Sequence, residues 1–211
     1  VTDHGTSMGW QVSYDSTVVF LAGSRVIDLN EFDDVTIDGA VWGGIQVNVQ
    51  DSGSGSIATY GIWGDNTESG ERNVRDVLRN IEVKGPGRQK DGDTRGIQIY
   101  YGDDMIIDNC WIHDIGSALY LGGNTPIVQN CLIHDIDADG GDVQVHENVW
   151  FIFGGSNYIF RWNYVHDTSA VGVFTRNGGT GLNVYGNVFE NSAQAVLVDE
   201  RGGGENVLVY G

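Results

Sequence analysis

The segment RGIQIYYGDDMIIDNCWIHDIGSALYLGGNTPIVQNCLIHD, residues 95–135, decides the fold, because it contains one two-strand unit twice. The unit opens with Gly96-Ile97-Gln98-Ile99-Tyr100 and continues with Asn109-Cys110-Trp111-Ile112-His113-Asp114. It returns as Ala118-Leu119-Tyr120-Leu121 and then Asn130-Cys131-Leu132-Ile133-His134-Asp135. Each run alternates apolar and polar residues, the pattern of a strand buried on one side only.

The repeat extends in both directions. Asp142-Val143-Gln144-Val145-His146, Ala170-Val171-Gly172-Val173-Phe174 and Ala195-Val196-Leu197-Val198-Asp199 continue the first series, with steps of 22, 24, 28 and 25 residues between equivalent positions. Asn163-Tyr164-Val165-His166-Asp167 and Asn187-Val188-Phe189-Glu190-Asn191 continue the second, and Ile45-Gln46-Val47-Asn48 and Val35-Thr36-Ile37-Asp38-Gly39 are fainter copies. Two alternating strands per period suit a solenoid. One coil cannot bury its own apolar side, but coils stacked about 4.8 Å apart form a continuous core and pair every backbone group. A leucine-rich repeat would need a Leu and Asn lattice that is missing, and a sandwich would not keep fixed spacing. The expected fold is all-β: a single-stranded right-handed parallel β-helix with coils of roughly 21–28 residues. Residues 1–34 are expected to form an N-terminal strand or cap region and 35–211 the β-helix. Val207-Leu208-Val209-Tyr210-Gly211 stops in mid-coil. A truncated helix, or one capped by another chain or domain, is therefore expected.

Composition agrees with this reading. Glycine is high at 32 residues and proline low at 2, while 40% of the chain is hydrophobic and comes in short β-rich bursts, which excludes disorder. The net charge is −18, aspartate dominates the acids, and the lysines are Lys84 and Lys90. Such a surface stays hydrated in concentrated salt, as halophile proteins do, and it argues against a nucleic-acid partner. No apolar run approaches membrane-spanning length.

These coils resemble the pectate-lyase-like right-handed parallel β-helix superfamily over roughly residues 35–211. That superfamily hosts lyases, hydrolases, esterases, epimerases and non-catalytic virion spikes, so the resemblance implies the fold and leaves the activity open. Its pectate lyases pair Ca²⁺-binding aspartates with an Arg or Lys base. The polygalacturonase segments are missing. Phe151-Ile152-Phe153-Gly154-Gly155 and Gln194-Ala195-Val196-Leu197-Val198 look like pectin methylesterase motifs, but Trp150 stands where the catalytic Asp should be and their order is reversed.

Four candidate features follow from the residues. Cys110 and Cys131 occupy equivalent inward positions and are expected to be free, buried thiols, since side chains stacked in parallel rarely meet disulfide torsions. His113, His134 and His166, each followed by Asp, form an outward ladder. Direct stacking is too regular for a tetrahedral metal cage, so the simpler reading is a turn-capping Asp beside a solvated His. Asp135, Asp137 and Asp139, with Asp142 two residues past Gly140, supply alternate carboxylates and a bend, as a Ca²⁺ loop requires. Finally, if Ile97, Ile99, Val143, Val145, Val171 and Val173 point inward, then Gln98, Tyr100, Tyr120, Gln144 and Phe174 point outward in a face suited to sugar, with Gln46, Gln98 and Gln144 sharing one register and Tyr100, His146 and Phe174 another. His146, Glu147 and Arg176 at its end are the catalytic candidates, as base and charge partners for a polysaccharide lyase or uronate epimerase. The expected partner is a polysaccharide or cell-surface glycan, and the expected setting extracellular or on a cell or virion surface. The competing class is a non-catalytic spike, adhesin or fibre subunit, with a homo-oligomer or further domain covering the last coil.

Overall fold

The computed structural model describes residues 17–30, 32–51, 58–64, 73–87, 94–137, 148–176, 179–198 and 206–211. They wind through seven coils. The first holds β1 (Val18–Ala22), β2 (Arg25–Asp28) and β3 (Thr36–Asp38). The second holds β4 (Ile45–Val49), β5 (Thr59–Gly64), β6 (Asn73–Val74) and β7 (Val77–Arg79). The third holds β8 (Ile81–Lys84), β9 (Thr94–Ile99), β10 (Gly102–Asp103) and β11 (Ile106–Asp108). Next come β12 (Trp111–Ile115), β13 (Ser117–Asn124) and β14 (Ile127–Gln129), then β15 (Leu132–Ile136), β16 (Asn148–Ser156) and β17 (Ile159–Arg161). The sixth coil is β18 (Tyr164–Arg176) and β19 (Asn183–Tyr185), the seventh β20 (Val188–Val198) and β21 (Leu208–Tyr210).

All the ladders are parallel, and they define three faces. The first face stacks β1, β4, β8, β12 and β15 with the starts of β18 and β20. The second stacks β2, β5, β9, β13 and β16 with the ends of β18 and β20, so these two long strands join both faces into one 12-stranded sheet. The third face is a 7-stranded sheet from β3 to β21. β1 and β2 already belong to the 12-stranded sheet, inside the segment expected to form the N-terminal strand or cap region.

A residue in the left-handed region turns most of the described corners. Between the first and second faces it is Asp114, Asp135, Asp167 or Asn191, with φ from 48° to 55°. Between the second and third it is Asp34, Arg75, Asp104, Thr125, Asn157, Gly181 or Asn206. Between the third and first it is Asn80, Asn109, Asn130, Trp162 or Gly186. Asn, Asp and Gly bear this conformation at least cost, which accounts for the richness of the chain in all three.

The core is made of stacked columns. Ile62, Ile97, Leu119, Trp150 and Val173 lie in one column of the second face, all fully buried. Val47, Val83, Ile112, Ile133 and Val165 form the first-face column. Burial of each such side chain contributes about 1.5–3 kcal/mol relative to exposure. One acid sits among these apolar columns: Asp76 is fully buried, accepts from the Val35 amide at 2.9 Å, and is pushed above the usual carboxylate range by burial.

Cys110 and Cys131 are free and buried, as expected. Each thiol donates to the strand one coil back, Cys110 to Leu78 O at 3.6 Å and Cys131 to Ile107 O at 3.9 Å. The column then changes residue without changing role. Asn163 Nδ2 donates to Val128 O at 3.1 Å and Asn187 Nδ2 to Phe160 O at 2.8 Å.

Three expectations about register are corrected. Opposite Leu119 and Val173 stands Trp150, so the second-face column of the fifth coil runs through β16, downstream of Val143. Phe174 shares a column with Gln98, Tyr120 and Phe151, and it is not in the column of Tyr100. Gln46 lies on the first face, opposite Glu82, well away from Gln98. The observed steps, from 21 residues (Ile112 to Ile133) to 41 (Ile37 to Leu78), are also wider than the expected range. Among the described residues no helix is long and apolar enough to cross a membrane.

Candidate functional site

Because the strands of the first face are parallel and in register, equivalent side chains stack from coil to coil. One outer column runs Asn48, Lys84, His113, His134, His166, Glu190. Its neighbour, two residues earlier on each strand, runs Gln46, Glu82, Trp111, Leu132, Tyr164, Val188. The imidazoles lie almost parallel, with centroids 5.1 Å apart for His113 and His134 and 4.7 Å for His134 and His166. Trp111 stacks on His113 at 4.2 Å.

Each imidazole binds the aspartate that follows it. The left-handed φ of Asp114, Asp135 and Asp167 folds the carboxylate back onto the preceding ring, giving Nδ1–Oδ2 distances of 2.9, 2.6 and 2.7 Å. The turn-forming role expected of these aspartates is therefore real, but each imidazole is engaged by its aspartate, and His166 keeps the most exposure. His113 also meets Glu82 Oε1 through Nε2 at 3.0 Å, and its side chain is 5% exposed. At His134 the tautomer is fixed by chemistry. The Trp111 indole can only donate, and it does so to Nε2 at 2.7 Å, so the proton of a neutral ring sits on Nδ1 and faces Asp135.

His166 is the open member, at 22% side-chain exposure. Its Nδ1 faces Asp167, whose other oxygen accepts from Asn191 Nδ2 at 3.0 Å. These bonds, that from His166 first, hold the Asp167 carboxyl below its ordinary range. Among the described residues nothing bonds Nε2 of His166. An imidazole oriented by a carboxylate through Nδ1, with Nε2 open, is the arrangement of a general base. Beside it the exposed Tyr164 donates to Glu190 Oε2 at 2.6 Å, a bond that pushes the tyrosine hydroxyl up and keeps it protonated.

The second face behaves differently. Gln98 is on its outer side as expected, yet has no exposure, and Phe174 retains 7%. Gln98 lies between Trp63 and Tyr120 in its column, and Arg95 donates to its side-chain oxygen. Arg95 itself lies 4.6 Å from the Tyr120 ring, and Tyr120 stacks on Phe151. Tyr100 and Tyr120 are half-buried and meet edge to face at 5.6 Å. The indole nitrogen of Trp63 and the amide nitrogen of Gln98 are buried donors with no hydrogen-bond partner among the described residues.

The remaining candidates are divided. Asp139, Asp142, Gln144, His146 and Glu147 lie outside the described residues, and of Arg176 only the backbone is described, opposite Phe153. Asp135 is engaged by His134, and Asp137 Oδ1 accepts from Ser169 at 2.7 Å. Among the described residues no group of three or more His, Cys, Asp or Glu side chains could hold a metal ion. Glu82 was missed as a partner of the histidine ladder because it precedes His113 by 31 residues, and only the coil register makes them neighbours.

A family model for the right-handed β-helix region matches residues 17–211. No curated protein and no solved structure matches the chain.

Proposed function

The chain belongs to the right-handed β-helix family, and from that premise we propose that it binds a polysaccharide along its parallel sheet, on the open first face. The observation that carries this reading is the His166–Asp167–Asn191 relay beside the Tyr164–Glu190 pair on an accessible surface. An extended polymer needs a long face with repeated donors, acceptors and ring edges, and these columns supply them coil after coil. The setting is extracellular, or the surface of a cell or virion.

The finer reading is lyase or epimerase chemistry. Nε2 of His166 takes the proton from the sugar carbon next to a uronate carboxylate. The electron pair then either forms a double bond, as the linked oxygen leaves with a proton from solvent, or takes a proton back on the opposite ring face. An anionic sugar meeting a surface of net charge −18 needs a bridging cation, and the Asp135, Asp137, Asp139 and Asp142 segment starts at the aspartate that His134 binds. Millimolar Ca²⁺ is therefore expected to raise the melting temperature, since a ligand at about 100 times its Kd stabilises by about 2.7 kcal/mol. Asp137→Ala should abolish the shift. Equal melting in EDTA and Ca²⁺ at fixed ionic strength removes calcium from the account.

A second placement of the same ligand is on the second face, favoured by the unpartnered donors of Trp63 and Gln98 next to Tyr100 and Tyr120. A glycan array with wild type, Tyr164→Ala, His166→Ala, Tyr100→Ala and Tyr120→Ala separates the two. Weaker binding confined to Tyr164→Ala supports the first face, and loss confined to Tyr100→Ala and Tyr120→Ala moves the ligand to the second. Hits are then assayed for unsaturated product, epimerised uronate and new reducing ends. In an enzyme His166→Ala lowers turnover about 10²-fold or more while binding persists. Binding without turnover by wild type removes the enzyme, and no binding to any glycan leaves a structural rod such as a spike, adhesin or fibre subunit.

A further inference from the structure

The corner between the third and first faces carries a residue that its position does not favour. In successive coils Asn80, Asn109 and Asn130 take the left-handed conformation there, and each side-chain amide donates across the stack: Asn80 to Asp38, Asn109 to Asn80, Asn130 to Asp108, all at 2.7 Å. Trp162 interrupts this ladder. It has φ 57°, a conformation that a bulky side chain adopts only at a cost, and 52% of the residue is exposed.

The surroundings fit the indole closely. The Arg161 guanidinium lies 4.4 Å from the ring centroid, and it is itself fixed by two bonds to Gln129 Oε1, at 2.8 and 2.6 Å, and one to the Tyr185 hydroxyl at 3.1 Å. Tyr185 meets the ring edge-on at 6.2 Å. In the next coil the same corner is Gly186, where a Cβ would come within 2.7 Å of Trp162 Cδ1, so the neighbouring coil leaves room for the ring. An exposed, immobilised aromatic plane kept at the expense of a hydrogen-bonded asparagine points to a ligand, because stability alone would favour asparagine.

We propose that Trp162 is a stacking platform for an uncharged pyranose ring of a polysaccharide, seated at the rim of the first face two residues before Tyr164. The proposal rests on the carbohydrate reading above and adds its first fixed subsite. Pyranoses present a face of C–H groups that covers an indole, and a rigid ring loses no rotamer freedom on binding. The ring on this platform is uncharged, whatever the other residues of the polymer carry, because Glu190, Asp167 and Asp135 are all exposed on the adjoining face, with no cation bridge proposed at the indole. A second copy is disfavoured, since each chain carries −18.

The test is titration of neutral gluco-, manno- and xylo-oligosaccharides, followed by calorimetry and tryptophan fluorescence, into wild type, Trp162→Asn and Trp162→Tyr. Trp162→Asn restores the ladder residue. It is expected to weaken binding at least tenfold and to leave the melting temperature unchanged or higher, while Trp162→Tyr keeps most of the affinity. Unchanged binding by Trp162→Asn, with wild type binding well, overturns the platform and leaves the carbohydrate reading intact. Failure of wild type to bind any neutral or acidic saccharide overturns both. A fall in melting temperature for Trp162→Asn makes the indole structural and overturns the platform, as does a self-association in sedimentation that the variant abolishes.

Discussion

His113→Ala is expected to lower the melting temperature by about 6–12 °C. The substitution strands Glu82, a largely buried acid whose hydrogen-bond partner among the described residues is that imidazole. Breaking a buried pair by removing one member costs about 3 kcal/mol, and a chain of this size loses about 2–4 °C per kcal/mol. The stack with Trp111 and His134 is lost as well. Adding Glu82→Gln to the His113→Ala variant should recover about half of the loss, because the stranded charge is then gone. A single variant that melts within about 1 °C of wild type would show the pair to be solvated and worth little.

The second large effect belongs to Asn163. This side chain is buried, accepts from the Cys131 amide at 2.9 Å and donates to Val128 O. Asn163→Ala leaves the Cys131 amide without its acceptor and takes a second donor from Val128 O, and thermal or urea unfolding should register about 1–3 kcal/mol. Asn163→Cys is expected to lose roughly half as much, since thiols in the same column already bond the carbonyls of Leu78 and Ile107. Equal losses for the two variants would mean that the donor to Val128 contributes nothing.

The solenoid was legible in the sequence because an alternating strand and a fixed step are local properties. Asn109-Cys110-Trp111-Ile112-His113 and Asn130-Cys131-Leu132-Ile133-His134 are separated by one coil and land side by side, as their spacing implies. The fifth coil was not legible in the same way. Val143 and Val145 alternate as well as Trp150 and Ile152 do, and periodicity cannot choose between two such runs within one long coil. The openness of Gln98 was misjudged for a related reason: alternation says which side a residue faces, but not whether Arg95 and the neighbouring rings occupy that side. The histidine ladder of the first face was legible, but its partners were not, because contacts such as Trp111 with His134 and Asp167 with Asn191 join residues a whole coil apart. Trp162 is a fourth case. Nothing local marks it as the successor of three asparagines at one corner, and only the backbone angle shows it.

The corner between the first and second faces varies greatly in length. Gly116 alone separates β12 from β13, whereas residues 137–147 separate β15 from β16. Both coils nevertheless keep their strands in parallel register, with Trp111 opposite Leu132 and Leu119 opposite Trp150. Sequence can thus be added or removed at this vertex without disturbing the hydrogen bonds of the layers above and below. The molecule is in effect a scaffold for grafting: a foreign peptide spliced between Ile136 and Asn148 would be displayed at the border of both outer surfaces, while the stack beneath it continued to fold as before.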